Sequence, residues 1–266
     1  MRFAFSTLGV PGLPLPDVLA LATAHGYHGV ELRAHPEEPV HPGLGLVERA
    51  DVAAEFKAAG VEIIGIAGYA RVAEPGDDEP VLDEIRSLVA LARDLGAPFV
   101  RVFPGGGTEQ SAEEADATAA RRLGTAARYA ADAGVRILLE THDSHRTGAD
   151  AIRVLGAVGH RQVGALWDLM HTWLGGETPA ESFAALSPYL GYVQVKDIAS
   201  ASDTTPLALG DGVLPLGECV GLLAEAGWDG WVCWEYEKRW YEAAAPLAPQ
   251  LAPARDLLSR LVSRAP

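Results

Sequence analysis

The chain predicts one closed (β/α)₈ barrel, and three observations carry that expectation. Short apolar runs recur from end to end with starts 27 to 39 residues apart, the span of a strand, a helix and two loops. The stretches between them open on helix-capping signals. Glycine closes five of those stretches just before the next apolar run. An open doubly wound sheet would need the same number of elements. However, no Gly-x-Gly-x-x-Gly follows the first run, and no break in composition separates two halves. The even rhythm favours closure into a single domain over residues 1–266.

Strands are predicted over 2–6, 29–32, 61–66, 98–103, 136–140, 163–168, 192–196 and 231–235. Val61-Glu62-Ile63-Ile64-Gly65-Ile66 is nearly continuous in apolar residues, as expected of a sheet covered by helices on its outer face. Ser111-Ala-Glu-Glu114 is a capping box, in which serine and glutamate each satisfy an orphan backbone amide. Behind it Leu123, Ala126, Ala127 and Ala130 form an apolar stripe at helical spacing that ends before Gly134. Thr178-Pro-Ala-Glu181 repeats the box with proline at the first helical position. Gly26, Gly60, Gly96, Gly134 and Gly227 stand where a helix must stop. Residues 238–251 read as a long loop or lid before a final helix near 252–264.

Composition bounds the function. Apolar residues make up 48% of the chain, enough to fill a barrel core. The formal charge of −15 opposes a phosphate backbone, so no nucleic-acid partner is expected. No apolar run approaches the length of a membrane span, and the N-terminus lacks the apolar stretch of a secretion signal. The expected setting is soluble and cytoplasmic, with Cys219 and Cys233 as ordinary reduced thiols.

In a barrel of this kind the chemistry gathers at the C-terminal ends of the strands. Strand five ends on Glu140 with His142 beyond it, and strand six ends on Asp168 with His171 three positions later. Strand seven carries Gln194 and Lys196, and strand eight carries Glu235. Period-two alternation places Glu140, Asp168, Gln194 and Glu235 on the inward face of their strands. Converging carboxylates repel unless a cation joins them, which points to one divalent metal. The oxygen-rich donors favour Mg²⁺, Mn²⁺ or Co²⁺ over a soft metal. Glu140 and Glu235 would also move protons, His171 would settle charge on a substrate oxygen, and His142 and Lys196 would bind substrate. Each has a plainer reading: a histidine bonding nearby backbone, or Lys196 pairing with Glu235 or Asp197. Glu31 is expected to orient another ligand or to pin Arg33. Gly105-Gly-Gly107 suits either a loop approaching a ligand or a flexible turn. Trp167, Trp231 and Trp234 are expected to pack against the outer helices.

Several segments resemble the xylose-isomerase-like TIM barrel superfamily, in particular its sugar phosphate isomerase/epimerase family. These are His28-Gly-Val-Glu31-Leu-Arg33, Glu140, Asp168-Leu-Met-His171, Val193-Gln194-Val-Lys-Asp197 and Gly227-Trp-Asp-Gly-Trp-Val-Cys-Trp-Glu235-Tyr-Glu. The resemblance runs nearly full length. It implies metal ligands at Glu140, Asp168 and Glu235 and a substrate-contacting histidine at His171. Gln194 stands where the family usually has histidine, which weakens a preference for Zn²⁺ or Co²⁺ and favours Mn²⁺ or Mg²⁺. The segment Lys196-Asp197-Ile-Ala-Ser departs from ketose 3-epimerases and more closely resembles the inosose dehydratase and general isomerase/epimerase branches. The family often forms dimers or tetramers, so a homodimer or homotetramer is implied.

The expected activity is therefore a metal-dependent isomerisation or epimerisation next to a carbonyl of a sugar or polyol ketone. One alternative is dehydration of a polyhydroxy ketone; another, of a different class, is a non-catalytic sugar-binding barrel. A nuclease resembling endonuclease IV would need more histidine ligands and a basic rim.

Overall fold

The computed structural model describes residues 1–264. The strands in chain order are β1 (Arg2–Ser6), β2 (Gly29–Arg33), β3 (Glu62–Arg71), β4 (Phe99–Phe103), β5 (Arg136–Glu140), β6 (Val163–Asp168), β7 (Leu190–Val195), β8 (Ile198–Ser200), β9 (Asp203–Pro206) and β10 (Trp231–Trp234). The helices are α1 (Leu15–Ala24), α2 (Leu46–Ala59), α3 (Asp78–Leu95), α4 (Ala112–Ala133), α5 (Gly148–Val158), α6 (Leu169–Leu174), α7 (Pro179–Leu186), α8 (Leu216–Glu225) and α9 (Leu251–Arg264). Eight strands pair in parallel and close in the order β1-β10-β7-β6-β5-β4-β3-β2. Each returns through at least one helix on the outside, so the (β/α)₈ expectation holds. No helix among the described residues is long and apolar enough to cross a membrane.

Both capping boxes form. Ser111 Oγ accepts from the Glu114 amide at 3.2 Å while Glu114 Oε2 accepts from the Ser111 amide at 2.9 Å. Thr178 and Glu181 repeat the exchange at the start of α7. The five expected stop glycines all have φ between +64° and +74°. The alanine stripe of α4 is buried, and its short side chains let the helix lie close to the strands.

Two apolar layers result. The outer one, between strands and helices, holds Trp167 and Trp234. The inner one fills the barrel with Ala4, Ile64, Leu138, Leu166, Tyr192, Trp231 and Cys233. Trp231 corrects the sequence reading, which sent it outward with the other two tryptophans. It shares strand parity with Cys233 and Glu235, so it points inward and plugs the lower end of the barrel beneath the Arg2 guanidinium. Gly29 makes room for it, because a Cβ there would stand 3.0 Å from the indole. Cys219 and Cys233 are both free and buried.

Two further differences have local causes. β3 continues five residues past the predicted end at 66, to Arg71, which pairs with Phe103 after a register shift. Gly68 allows this course: the side chain of Leu88 lies 2.3 Å from where a Cβ would stand. The antiparallel hairpin β8–β9, absent from the sequence reading, rises over the rim after β7. Its strands are three and four residues long, too short to show alternation.

Candidate active site

Strand register brings the polar residues to neighbouring positions at the strand ends, stepped by two residues from Glu140 to Asp168 and from Gln194 to Glu235. Asp168 on β6 stands beside Gln194 on β7, Gln194 beside Cys233 on β10, and Glu140 on β5 beside Leu166. These are four consecutive strands of the barrel, so Glu140, Asp168, Gln194 and Glu235 share one sector of the rim above the inner apolar layer. All four are buried. Glu140, Asp168 and Glu235 each present an oxygen, and the three oxygens lie within 4.8 Å of one another.

Each side chain has a distinct local anchor. Asp168 caps α6: its Oδ1 accepts from the amides of Met170 (2.8 Å) and His171 (3.2 Å), which carries His171 back over the pocket. Gln194 Nε2 donates to Glu31 Oε2 at 2.9 Å and Glu235 Oε1 at 3.0 Å, while its Oε1 accepts no hydrogen bond. Tyr192 donates its hydroxyl to Glu31 Oε2 at 2.5 Å. Lys196 Nζ lies 2.7 Å from Asp168 Oδ2, 2.7 Å from Glu237 Oε1, and against Glu235 Oε2. Arg101, from β4, donates to Glu140 Oε2 at 2.9 Å, and its guanidinium sits 3.9 Å from the centre of the Phe103 ring.

The pocket above these groups has a volume of about 240 Å³. Its walls include Tyr69, Phe103, His142, His171 and Trp240, with Thr204 of β9 reaching in from the side. The His142 and His171 rings are 4.0 Å apart, centre to centre, and His142 Nδ1 stands 2.9 Å from Asp143 Oδ1.

Burial sets the electrostatics. It pushes the Glu140 carboxyl up to about 8 despite the neighbouring Arg101. Burial also raises Glu31, reinforced by the charge of Glu235. For Lys196 burial opposes the charge, but Asp168, Glu235 and Glu237 outweigh it and hold the ammonium charged far above neutral pH. His171 is driven well below its usual range by burial, then by His142 and Lys196.

The structure gathers Glu140, His142, Asp168, His171, Gln194, Lys196 and Glu235 at one rim. Of the two pairings weighed for Lys196, it takes Glu235. Asp197 turns away and accepts instead from the amides of Ile198, Gly210, Gly212 and Leu214. Glu31 orients Gln194, whereas Arg33 pairs with Glu38 at 2.5 Å. The Gly105–Gly107 run packs against Arg71, Ser144 and Pro75 and does not line the pocket. Sequence reasoning missed Arg101, Tyr69, Glu237 and Trp240. Arg101 had a signal: an arginine inside Phe99-Val-Arg-Val-Phe103, on the parity of the barrel interior.

A divalent cation fits the donor chemistry here. Three carboxylates converge, and the buried Gln194 Oε1 has no donor to satisfy it. The ammonium of Lys196 contacts two of the same carboxylates, so it and a cation would share their negative charge. Fold and site together define an enzyme-like barrel with a candidate metal cluster of oxygen donors at its C-terminal rim.

Comparison with known proteins agrees with that class. The family described as "Xylose isomerase-like TIM barrel" matches residues 19–261, and the chain belongs to it. It is 30% identical over 248 residues to a Streptomyces coelicolor protein named "Putative hydroxypyruvate isomerase", covering 85% of this chain and 86% of that one. It is 25% identical over 189 residues to a 3-dehydroshikimate dehydratase of Bacillus anthracis, covering 70% of this chain and 67% of that one. Among solved structures, the IOLI protein with a binding zinc atom superposes with a TM-score of 0.82 at 20% identity, covering 100% of this chain and 99% of that one.

Proposed function

We propose that the chain moves a proton at a carbon next to the carbonyl of a sugar or polyol ketone, as an isomerase or epimerase using one divalent cation. The observation that carries this reading is the convergence of the Glu140, Asp168 and Glu235 oxygens within 4.8 Å at the floor of the pocket. Glu140 and Glu235 rise from separate strands, so a substrate carbon held between them meets a carboxylate on each side. One takes the proton and the other returns it. His171 and His142 bond substrate hydroxyls from the wall, and Phe103, Tyr69 and Trp240 keep bulk water away from the reacting carbon. Glu140, Asp168 and Glu235 would hold Mn²⁺ or Mg²⁺, with the free Gln194 oxygen as a fourth donor. The cation would supply Lewis-acid stabilisation of the oxygen on which charge develops. The formal net charge of −15 supports a small-molecule substrate over a nucleic acid.

Similarity to the 3-dehydroshikimate dehydratase favours a second reading, in which the same proton abstraction is followed by loss of a β-hydroxyl as water. Proton NMR in D₂O, with hydroxypyruvate, unphosphorylated ketoses and polyhydroxy cyclic ketones as substrates, separates the two. Deuterium incorporated without loss of water supports isomerisation or epimerisation; an enone or deoxy product supports dehydration. Metal analysis of the isolated protein and of Glu235→Gln tests the ligand set. Full occupancy retained by that variant would sink the assignment.

A further inference from the structure

A separate chain of hydrogen bonds runs from the loop after β5 to α4. Ser144 Oγ lies 2.9 Å from His145 Nδ1, and His145 Nε2 lies 2.8 Å from Asp116 Oδ1. None of the three lines the pocket described above, and the function proposed above uses none of them. We propose that they form an activated serine, a nucleophile that takes up the acyl group of a small uncharged ester.

The partners set the direction of the chain. A carboxylate only accepts, so His145 Nε2 carries the proton, and in the neutral ring Nδ1 is left to accept from the Ser144 hydroxyl. Nucleophile, base and orienting carboxylate therefore stand in the order that serine activation requires. Asp116 is itself held: Arg153 Nε donates to its Oδ2 at 2.6 Å, and Arg153 is braced on Asp150 at 2.9 Å. Exposure follows the roles. His145 is buried and Asp116 half-buried, while Ser144 is exposed in the turn that His142 and His145 close by exchanging backbone hydrogen bonds. Asp143, just before the serine, has φ of +43°, a left-handed conformation that a non-glycine residue adopts at a cost. The Gly105–Gly107 run supplies the remaining group. The Gly106 amide donates to Ser144 Oγ at 2.9 Å, which steadies negative charge there as the hydroxyl proton leaves. Only glycine permits that approach, since a Cβ on Gly106 would stand 2.8 Å from the same oxygen. Gly107 lines an open groove of about 600 Å³ whose walls include Glu109 and Glu114, which disfavours an anionic substrate. In the first step Ser144 Oγ bonds to the ester carbonyl carbon while its proton passes to His145 Nδ1, and Asp116 stabilises the imidazolium. The bond to the alcohol then breaks, and the alcohol departs with that proton. Water repeats the sequence on the acyl carbon, and Ser144 recovers its proton as the acid leaves.

An alkyl fluorophosphonate, applied to the full-length protein in EDTA, tests the site. Its phosphorus takes the serine oxygen with loss of fluoride, and the reaction needs neither sugar nor metal. The expected product is a single adduct at Ser144, located by peptide mass spectrometry and formed about 100-fold faster than in the urea-unfolded chain. p-Nitrophenyl acetate should give a burst of p-nitrophenolate as the acyl group is taken up. Ser144→Ala should abolish both signals. His145→Gln should slow labelling about 100-fold and Asp116→Asn about tenfold or more, with the fold of each checked by circular dichroism. Labelling no faster than in the unfolded chain, an adduct on another residue, or an unchanged rate in folded His145→Gln overturns the proposal and leaves the three side chains as a brace for the β5–α5 loop. Neither result bears on the carboxylate cluster, so the function proposed above stands or falls separately.

Discussion

The ammonium of Lys196 lies 2.7 Å from Asp168 Oδ2 and also meets Glu235 and Glu237, so one buried lysine answers three carboxylates. Removing the cation leaves those anions uncompensated. Lys196→Met should therefore destabilise the fold by about 3–5 kcal/mol, as when one partner of a buried pair is lost. A divalent cation binding the same carboxylates would replace part of the missing charge. Mn²⁺ should thus raise the Tm of the variant more than that of the wild type. Equal shifts in the two proteins, measured by calorimetry, would show that lysine and metal do not share these oxygens.

Arg122 on α4 is a second buried cation with a structural task. Its guanidinium donates to Asp78 Oδ1 at 2.8 Å and to the carbonyls of Val72, Glu74, Gly76 and Asp77, tying the β3–α3 loop to α4. Arg122→Met should lose about 3–5 kcal/mol, read from urea unfolding. The pair also makes stability pH-dependent. The hydrogen bond from Arg121, joined by that from Arg122, holds the Asp78 carboxyl well below the usual carboxylate range. A folded value below the unfolded one contributes in full above pH of about 4 and is lost as pH falls through the folded value. Asp78→Asn should accordingly destabilise the protein at neutral pH, with the gap to wild type narrowing in acid. A gap that stays constant with pH would refute the ion-pair account.

The strands and helix caps were legible because each is encoded locally. Ser111 and Glu114, or an apolar run closed by a glycine such as Gly134, need no tertiary knowledge. Parity along a strand located Glu140, Asp168, Gln194 and Glu235, since alternation is a property of the backbone. The contacts between strands were not legible. Nothing in Gln194-Val-Lys196 says that the ammonium reaches Asp168 on β6, because that depends on barrel closure and register. Arg101 pairs with Glu140 across 39 positions of sequence, and Asp197 was hidden because its partners are backbone amides, which no side-chain pattern announces.

Trp231 shows the same parity rule neglected. Its inward ring fills the barrel below the polar layer, against Ile64 and Cys233. Trp231→Ala should open a cavity and destabilise by about 3–5 kcal/mol. It sits four residues below Glu235, about 13 Å along the strand, so steady-state constants measured well below the Tm should stay within about twofold of wild type. A large fall in kcat with unchanged stability would mean that the lower core positions the rim.

Asp197 offers the sharpest contrast between a site residue and its support. It is buried, and its two oxygens accept from four backbone amides spread over residues 198 to 214. That segment carries β8 and β9, and Thr204 on β9 meets the Tyr241 hydroxyl at 2.5 Å, joining the hairpin to the loop that bears Trp240. Asp197→Ala strands the buried amides of Ile198 and Leu214, whereas those of Gly210 and Gly212 lie nearer the surface. The expected loss is at least about 3 kcal/mol of stability, since hydrogen bonds to a charged group contribute about 1.5–3 kcal/mol each and are not additive. Limited proteolysis should cut the variant within 198–214 faster than wild type. Because the hairpin walls the pocket but lies off the carboxylate cluster, KM should rise more than kcat falls. Unchanged proteolysis, or a loss confined to kcat, would place Asp197 in the chemistry and not in the scaffold.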